Sequence, residues 1–175
     1  MTVSEGPVLL APLFSAQLSA QLSVMSWEVA GLPLHILVIH AAVVFGPLAA
    51  LSAIAYVLMA RYRDLLRWPT VVLTVIAVGA VWAAYLTGEN FFESERFASF
   101  SGEALESIET HEDYAETLRW IASGFGIVTL VTASYFHERT GATRIVLGAL
   151  VVISALAMLV WVGLTGDAGS RAVWG

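Results

Sequence analysis

The chain has 175 residues, of which 58% are hydrophobic and 13% are charged, and its mean hydropathy is +0.80. A water-soluble domain of this size would not stay in solution with so apolar a composition, so the composition predicts a membrane protein. The absence of cysteine excludes disulfides, iron–sulfur clusters and covalently attached c-type haem. The net charge of −6 gives no cationic surface for a nucleic-acid backbone, which argues against nucleic acid as a partner.

The N-terminal segment, residues 1–34, is expected to be distinct from the rest of the chain. Apolar side chains recur along it at helical intervals between Leu13 and Met25. This pattern predicts a short amphipathic helix that lies on the outer membrane surface or against a partner. A fifth membrane span is the alternative, but Pro7 and Pro12 would interrupt it.

Four later stretches are apolar over roughly the 20 residues that a membrane-spanning helix needs. They are Ile36 to Ala60, Pro69 to Leu86, Leu118 to Phe136 and Ile145 to Leu164. We therefore predict an all-α fold, an integral membrane four-helix bundle formed by residues 35–175.

The connections between these spans differ in charge. Residues 61–67 carry three arginines and residues 137–144 carry two. By contrast, residues 87–116 carry nine carboxylates and a single arginine. Because Lys and Arg mark the cytoplasmic loops of membrane proteins, the first and third connections are predicted to be cytoplasmic. Both termini and the acidic outer loop, residues 87–116, would then face outward.

Part of the acidic outer loop is expected to be helical. The stretch "SGEALESIETHEDYAETLRW" offers Ser101 as a helix cap and has carboxylates in its first turns, which favour a helix start. A helix that begins there would continue into the third span. His111 would then lie about one to two turns above the membrane boundary near Leu118.

The second and fourth spans end in similar sequences. One ends in LTGENF and the other in LTGDAG, and glycine is a natural helix terminator. His35 precedes Thr87 by 52 residues, and His111 precedes Thr165 by 54. The spacing predicts two helical hairpins, each of which opens near a histidine and closes on Thr-Gly-acid, and leaves an internal duplication open.

Three of the four histidines are candidates for one site at the outer end of the bundle. His35 and His111 are predicted at similar heights, and His40 lies just inside the membrane. Because five residues of helix turn through about 140°, His35 and His40 cannot both point at one spot. Three acidic residues can approach the same region: Glu89, Glu112 and Asp167. The structural alternative is that these histidines only hydrogen-bond helix ends. His137, at the cytoplasmic end of the third span, suits a helix C-terminus and is assigned no function.

The order of the motifs "GLPLH", "VIH", "LTGE", "IETHEDYAETLRW" and "TGDAGSRAVWG" resembles that of a bacterial membrane-protein family, the one catalogued as domain of unknown function 2231. The resemblance covers about residues 31–175. Its strongest parts are His35, His40, His111 with Glu112, and Gly166-Asp167-x-Gly169. The family usually has Pro after the first histidine and Phe-Pro after the second, where this chain has Ile36, Ala41 and Ala42. The resemblance implies a four-helix protein of the bacterial cytoplasmic membrane, close to electron transport, because some members are joined to c-type cytochrome domains.

Three functions are compatible with these features. The first is an electron carrier with b-type haem, in which His35 or His40 is one axial ligand and His111 the other, and quinone or an external cytochrome is the redox partner. The second is a zinc, copper or iron site without porphyrin, made by the three histidines and one of the three acidic residues named above. The third is an accessory subunit of a larger respiratory membrane complex. A carrier or a subunit fits better than a stand-alone enzyme.

Overall fold

The computed structural model of the protein describes residues 28–29, 32–92 and 102–174. The predicted amphipathic helix of the N-terminal segment lies outside the described residues. The described part of that segment forms a minimal antiparallel ladder, in which β1 (Glu28–Val29) pairs with β2 (Leu32–Pro33). This ladder, which was not predicted from the sequence, leads directly into the first long helix.

Four long helices make up most of the described chain. They are α1 (Leu34–Leu58), α2 (Arg63–Phe92), α3 (Glu103–Ser134) and α4 (Gly141–Trp174). A 3₁₀ turn over Ala60–Tyr62 joins α1 to α2. The predicted all-α fold with four helices is confirmed.

Much of the predicted acidic outer loop is helical. α2 continues to Phe92, and α3 begins at Glu103, so the predicted helix that leads into the third span is present. Gly102 is the N-cap residue of α3 with a φ of 68°, a left-handed conformation that glycine adopts without strain. The predicted cap, Ser101, lies outside the described residues.

Three helical stretches of the described chain are long and apolar enough to cross a membrane. They are Leu34–Leu58, Ala60–Asn90 and Gly141–Ala172; the second and fourth predicted spans lie within them, and the first extends two residues past Leu58. The third predicted span, Leu118 to Phe136, falls mainly in α3, which is not among them. The first half of α3 is acidic, and Arg119 together with several Ser, Thr and Gly residues lowers the hydropathy of its second half.

Each helix packs mainly against two others. α1 contacts α2 and α4, and α3 contacts the same two helices. Alanines from all four helices are completely buried between them, joined by the larger side chains of Phe125 and Met158. In a lipid environment, helices associate through close packing of small residues, because lipid is as apolar as a leucine side chain. The alanine-rich core is typical of such packing.

Two glycines of the first helices of the hairpins lie at close contacts with the other hairpin. A Cβ atom at Gly46 of α1 would lie 3.2 Å from Cγ2 of Val162 in α4. A Cβ atom at Gly126 of α3 would lie 2.8 Å from Cγ2 of Val78 in α2. The first helix of each hairpin therefore presents a glycine to the second helix of the other hairpin.

Candidate functional site

His35 lies in the first turn of α1, and its ring reaches the C-terminal part of α2. Its Nδ1 is 3.0 Å from the carbonyl oxygen of Ala84 and 3.3 Å from Oγ1 of Thr87. Because a carbonyl oxygen only accepts hydrogen bonds, Nδ1 carries a proton and donates it. The ring also lies over Gly88, where a Cβ atom would be 3.1 Å from Cε1. α2 therefore holds this imidazole with a backbone acceptor and with the space left by a missing side chain.

His111 of α3 makes the same arrangement with α4. Its Nδ1 donates to the carbonyl oxygen of Thr165 at 2.9 Å, and a Cβ atom at Gly169 would lie 2.9 Å from Cε1 of the ring. Gly169 follows Thr165 by four residues, just as Gly88 follows the residue whose carbonyl accepts from the other histidine. Residues four apart share a helix face. Each ring therefore covers one carbonyl and the glycine one turn beyond it.

Each predicted hairpin opens near a histidine and closes on Thr-Gly-acid, and in the structure the histidine contacts the threonine of that sequence, His35 with Thr87 and His111 with Thr165. Their registers differ. The glycine under His35 belongs to the Thr-Gly-acid sequence, whereas the one under His111 is Gly169, three residues after the glycine of the second Thr-Gly-acid sequence. The two hairpins make similar contacts with an offset of about one helical turn.

The rings of His35 and His111 occupy the same end of the packed helices. They belong to different hairpins, and both side chains are half-buried. The His35 ring contacts the C-terminal part of α2, and the His111 ring contacts the C-terminal part of α4. Two imidazoles with the same hydrogen-bond pattern are thus brought to one region by two pairs of helices.

His40 does not join this pair. It is exposed, and its Nδ1 lies 2.6 Å from the carbonyl oxygen of Ile36 in its own helix. The inference that His35 and His40 point to different places is confirmed, because only His35 reaches α2. His40 remains a predicted ligand, and its side chain lies at an exposed position of α1.

The three candidate carboxylates all lie at exposed positions. Glu89 accepts a hydrogen bond from the hydroxyl of Tyr85 in the same helix. Asp167 accepts one from Nε of Arg171 at 2.9 Å. Within residues 28–29, 32–92 and 102–174, no group of three or more His, Asp or Glu side chains is placed to hold a metal ion. The structure brings together His35 and His111 but not the larger predicted set.

A cluster of one arginine and three aromatic rings lies at the same end of the helices and was not predicted from the sequence. The guanidinium carbon of Arg119 lies 4.0 Å from the ring centroid of Tyr85, 5.2 Å from that of Trp120 and 5.6 Å from that of Trp82. Its Nη2 donates to Glu116 at 2.8 Å. Aromatic rings and arginine are typical anchors at a membrane interface, and here they connect α3, which carries Arg119, to Tyr85 and Trp82 of α2. The signal in the sequence was an isolated arginine beside an otherwise apolar run.

The backbone partners of the two imidazoles were also missed. The carbonyl of Ala84 has no side-chain chemistry that a sequence pattern could reveal. Gly88 and Gly169 were the available signal, because a glycine inside a helix often marks the close approach of another group.

Comparisons with protein-family models, with curated proteins and with solved structures gave no match. The His35–His111 pair is therefore the feature from which a function can be inferred.

Proposed function

We propose that the protein is an integral membrane four-helix bundle that binds b-type haem through His35 and His111 and carries electrons at the outer face of a bacterial cytoplasmic membrane. The observation that supports this is the matched state of the two imidazoles, each of which donates from Nδ1 to a backbone carbonyl of the neighbouring helix. In the neutral form of such a ring, Nε2 bears the lone pair and is the nitrogen that ligates a metal. Two such nitrogens, supplied by different helices, are the donor set for axial ligation of haem iron.

The chain around the pair fits a haem that is bound without covalent attachment. It has no cysteine to form thioether links, and the small side chains of its alanine-rich core are apolar, as a porphyrin requires of its surroundings. When bound, the haem would supply a one-electron redox couple. His35 and His111 would ligate it, and the carbonyls of Ala84 and Thr165 would fix the tautomer and the orientation of each ring.

A metal ion without porphyrin is less well supported. Zinc, copper or iron in such a site takes three or four protein ligands, whereas axial ligation of haem takes two. The described residues offer two imidazoles and no third ligand grouped with them. Axial ligation of haem therefore requires fewer grouped ligands than a metal ion without porphyrin does.

The proposed topology follows from charge. Three helical stretches are long and apolar enough to span a membrane, and the second half of α3 would complete the bundle as a fourth span. The arginine-rich connections would be cytoplasmic, and the termini, the acidic outer loop and the His35–His111 pair would lie outside. Quinone, an external cytochrome or a subunit of a larger membrane complex would be the redox partner.

The absorption spectrum of the purified protein tests this proposal. We expect a Soret band, with α and β bands after reduction, when the protein is produced in cells supplied with haem precursor. The decisive variants are His35→Asn and His111→Asn, because asparagine keeps an N–H donor near the Nδ1 position but has no counterpart of Nε2. Each should lose the bands and keep its helical circular dichroism.

His40→Asn is the matched control, since His40 is exposed and bonded only within its own helix among the described residues. It should keep the full spectrum. A wild-type protein that stays colourless after incubation with haem would overturn the proposal, as would bands that survive both asparagine substitutions.

A further inference from the structure

A cavity of about 380 Å³ lies at the opposite end of the helices from His35 and His111. The end of α1, the end of α3 and the first turns of α4 form most of its wall, which is mainly apolar. Leu58 and Ile145 are among its lining residues and are strongly exposed, so the cavity opens toward the lipid-facing surface. It is separate from the imidazole pair.

Two arginines, Arg63 and Arg144, line this cavity, and the other described residues that line it are uncharged. Both are half-buried. Neither forms an ion pair with any residue in the described part of the chain. A partly buried cation without a counter-charge is costly, and an anion placed between the two guanidinium groups would offset that cost.

Arg63 is held in place by the buried side chain of Tyr56. Its Nη2 donates to the Tyr56 hydroxyl at 3.3 Å, and its guanidinium carbon lies 5.1 Å from the centroid of the Tyr56 ring. The hydroxyl is also 3.0 Å from Nδ1 of His137, whose Nε2 is 2.9 Å from Oδ1 of Asp64. Because the Asp64 carboxylate only accepts, Nε2 of His137 donates to it, and in a neutral ring Nδ1 accepts from Tyr56.

This hydrogen-bond chain leaves the charge of Arg63 uncompensated. Asp64 is the carboxylate nearest to it in sequence, but its side chain is 96% exposed and is bonded to His137. A guanidinium has five N–H donors, of which the bond to Tyr56 uses one. The Arg63 side chain is therefore held in position beside the cavity, and guanidinium N–H groups remain that can donate to an anion there.

We infer that this cavity binds one anionic phospholipid of the surrounding membrane, with its phosphate on Arg63 and Arg144 and an acyl chain along the apolar wall. Guanidinium groups bind phosphate through paired hydrogen bonds. Arg63 is the first residue of α2 and Arg144 lies in the first turn of α4, so both are at the depth of lipid headgroups if these helices cross the bilayer. The positive ends of two helix dipoles add to the attraction.

The apolar wall fits the remainder of such a lipid. Val57, Leu147 and Val152 line the cavity beyond the arginines and match a hydrocarbon chain rather than a soluble anion. Basic pockets between membrane helices on the cytoplasmic side are typical sites for anionic lipid headgroups. The inference needs the helices to span the membrane but is independent of haem binding.

The experiment is native mass spectrometry of the full chain in a neutral detergent, titrated with phosphatidylglycerol or with phosphatidylcholine that has the same acyl chains. We expect one phosphatidylglycerol to remain bound and phosphatidylcholine to bind at least about tenfold more weakly. Inorganic phosphate, added as a competitor, should not displace the lipid. Equal retention of the two lipids would overturn the inference, and displacement by inorganic phosphate would assign the cavity to a soluble anion instead.

The decisive variant is Arg144→Gln. Arg144 forms no hydrogen bond or ion pair with the described residues, so its replacement should leave the fold intact. It should weaken phosphatidylglycerol binding about tenfold, and Arg144→Lys should restore part of it. Arg61→Gln is the matched control, since Arg61 is exposed at the same end and does not line the cavity. Equal binding by the Arg144→Gln and Arg61→Gln variants would contradict the site.

Discussion

The ring of His111 occupies the space that a side chain on Gly169 would need. A Cβ atom there would lie 2.9 Å from Cε1 and 3.0 Å from Nδ1 of the imidazole, closer than non-bonded atoms normally approach. The same Nδ1 donates to the carbonyl of Thr165 at 2.9 Å, which holds the ring in place. Glycine at this position is therefore a condition for the position of His111. The corresponding contact between His35 and Gly88 is slightly looser, at 3.1 Å.

Gly169→Ala should displace the His111 ring and break its hydrogen bond to Thr165. We expect a loss of about 1 kcal/mol in the free energy of unfolding, which is the usual net value of such a bond, and weaker haem absorption if haem is bound there. Gly166→Ala is the control, because nothing lies within 4 Å of a Cβ at that glycine. Thermal unfolding in detergent and the visible spectrum provide the measurements. Identical behaviour of the two alanine variants would show that the ring is not confined by Gly169.

The contact between Gly126 and Val78 leads to a second prediction, about packing between α3 and α2. Gly126→Ala would place a methyl group 2.8 Å from Cγ2 of Val78 and should destabilise the protein by about 1–3 kcal/mol. Adding Val78→Ala removes the obstructing methyl groups and should recover much of that loss. Gly124→Ala, which faces open space, should have little effect. Unfolding by heat in detergent measures all four proteins, and a double variant no more stable than Gly126→Ala alone would contradict the contact.

The sequence predicted those features that depend on local pattern. Apolar runs of about 20 residues predict the helices whatever their neighbours are, and the spacings of 52 and 54 residues predicted two hairpins that open near a histidine and close on Thr-Gly-acid. The helical start of α3 followed from its early carboxylates, although the cap proved to be Gly102.

The remaining features depend on how each helix is rotated about its axis, which side-chain packing decides only in the folded protein. For this reason His35, rather than His40, reaches α2, and its acceptor is a backbone carbonyl that carries no signal in the sequence. The partners of His137 also could not be predicted, because the sequence indicates only a cation at a helix end. It bonds to Tyr56, 81 residues away, and to Asp64, 73 residues away.

The proposed topology can be tested because the chain has no cysteine of its own. Single cysteines at Glu112 and Thr140 would report on the acidic side and on the arginine-rich side, and both positions are exposed. In intact spheroplasts, a membrane-impermeant maleimide should label Glu112→Cys at once and Thr140→Cys only after lysis. The cysteine-free parent should remain unlabelled under both conditions. Labelling in the reverse order would place the imidazole pair on the cytoplasmic side.

The hydroxyl of Tyr56 is buried between two partners, so its removal should be costly. Tyr56→Phe leaves both Arg63 and His137 without that partner, and we expect a loss of about 1–3 kcal/mol in stability. Tyr62→Phe, an exposed tyrosine a few residues along the chain, is the matched control and should change stability little. A double-mutant cycle with His137→Leu isolates the tyrosine–histidine term, because the second substitution should cost less once the hydroxyl is gone. If the two substitutions are additive in thermal unfolding, the bond between Tyr56 and His137 contributes nothing measurable, and Arg63 is positioned by its own contact with the aromatic ring.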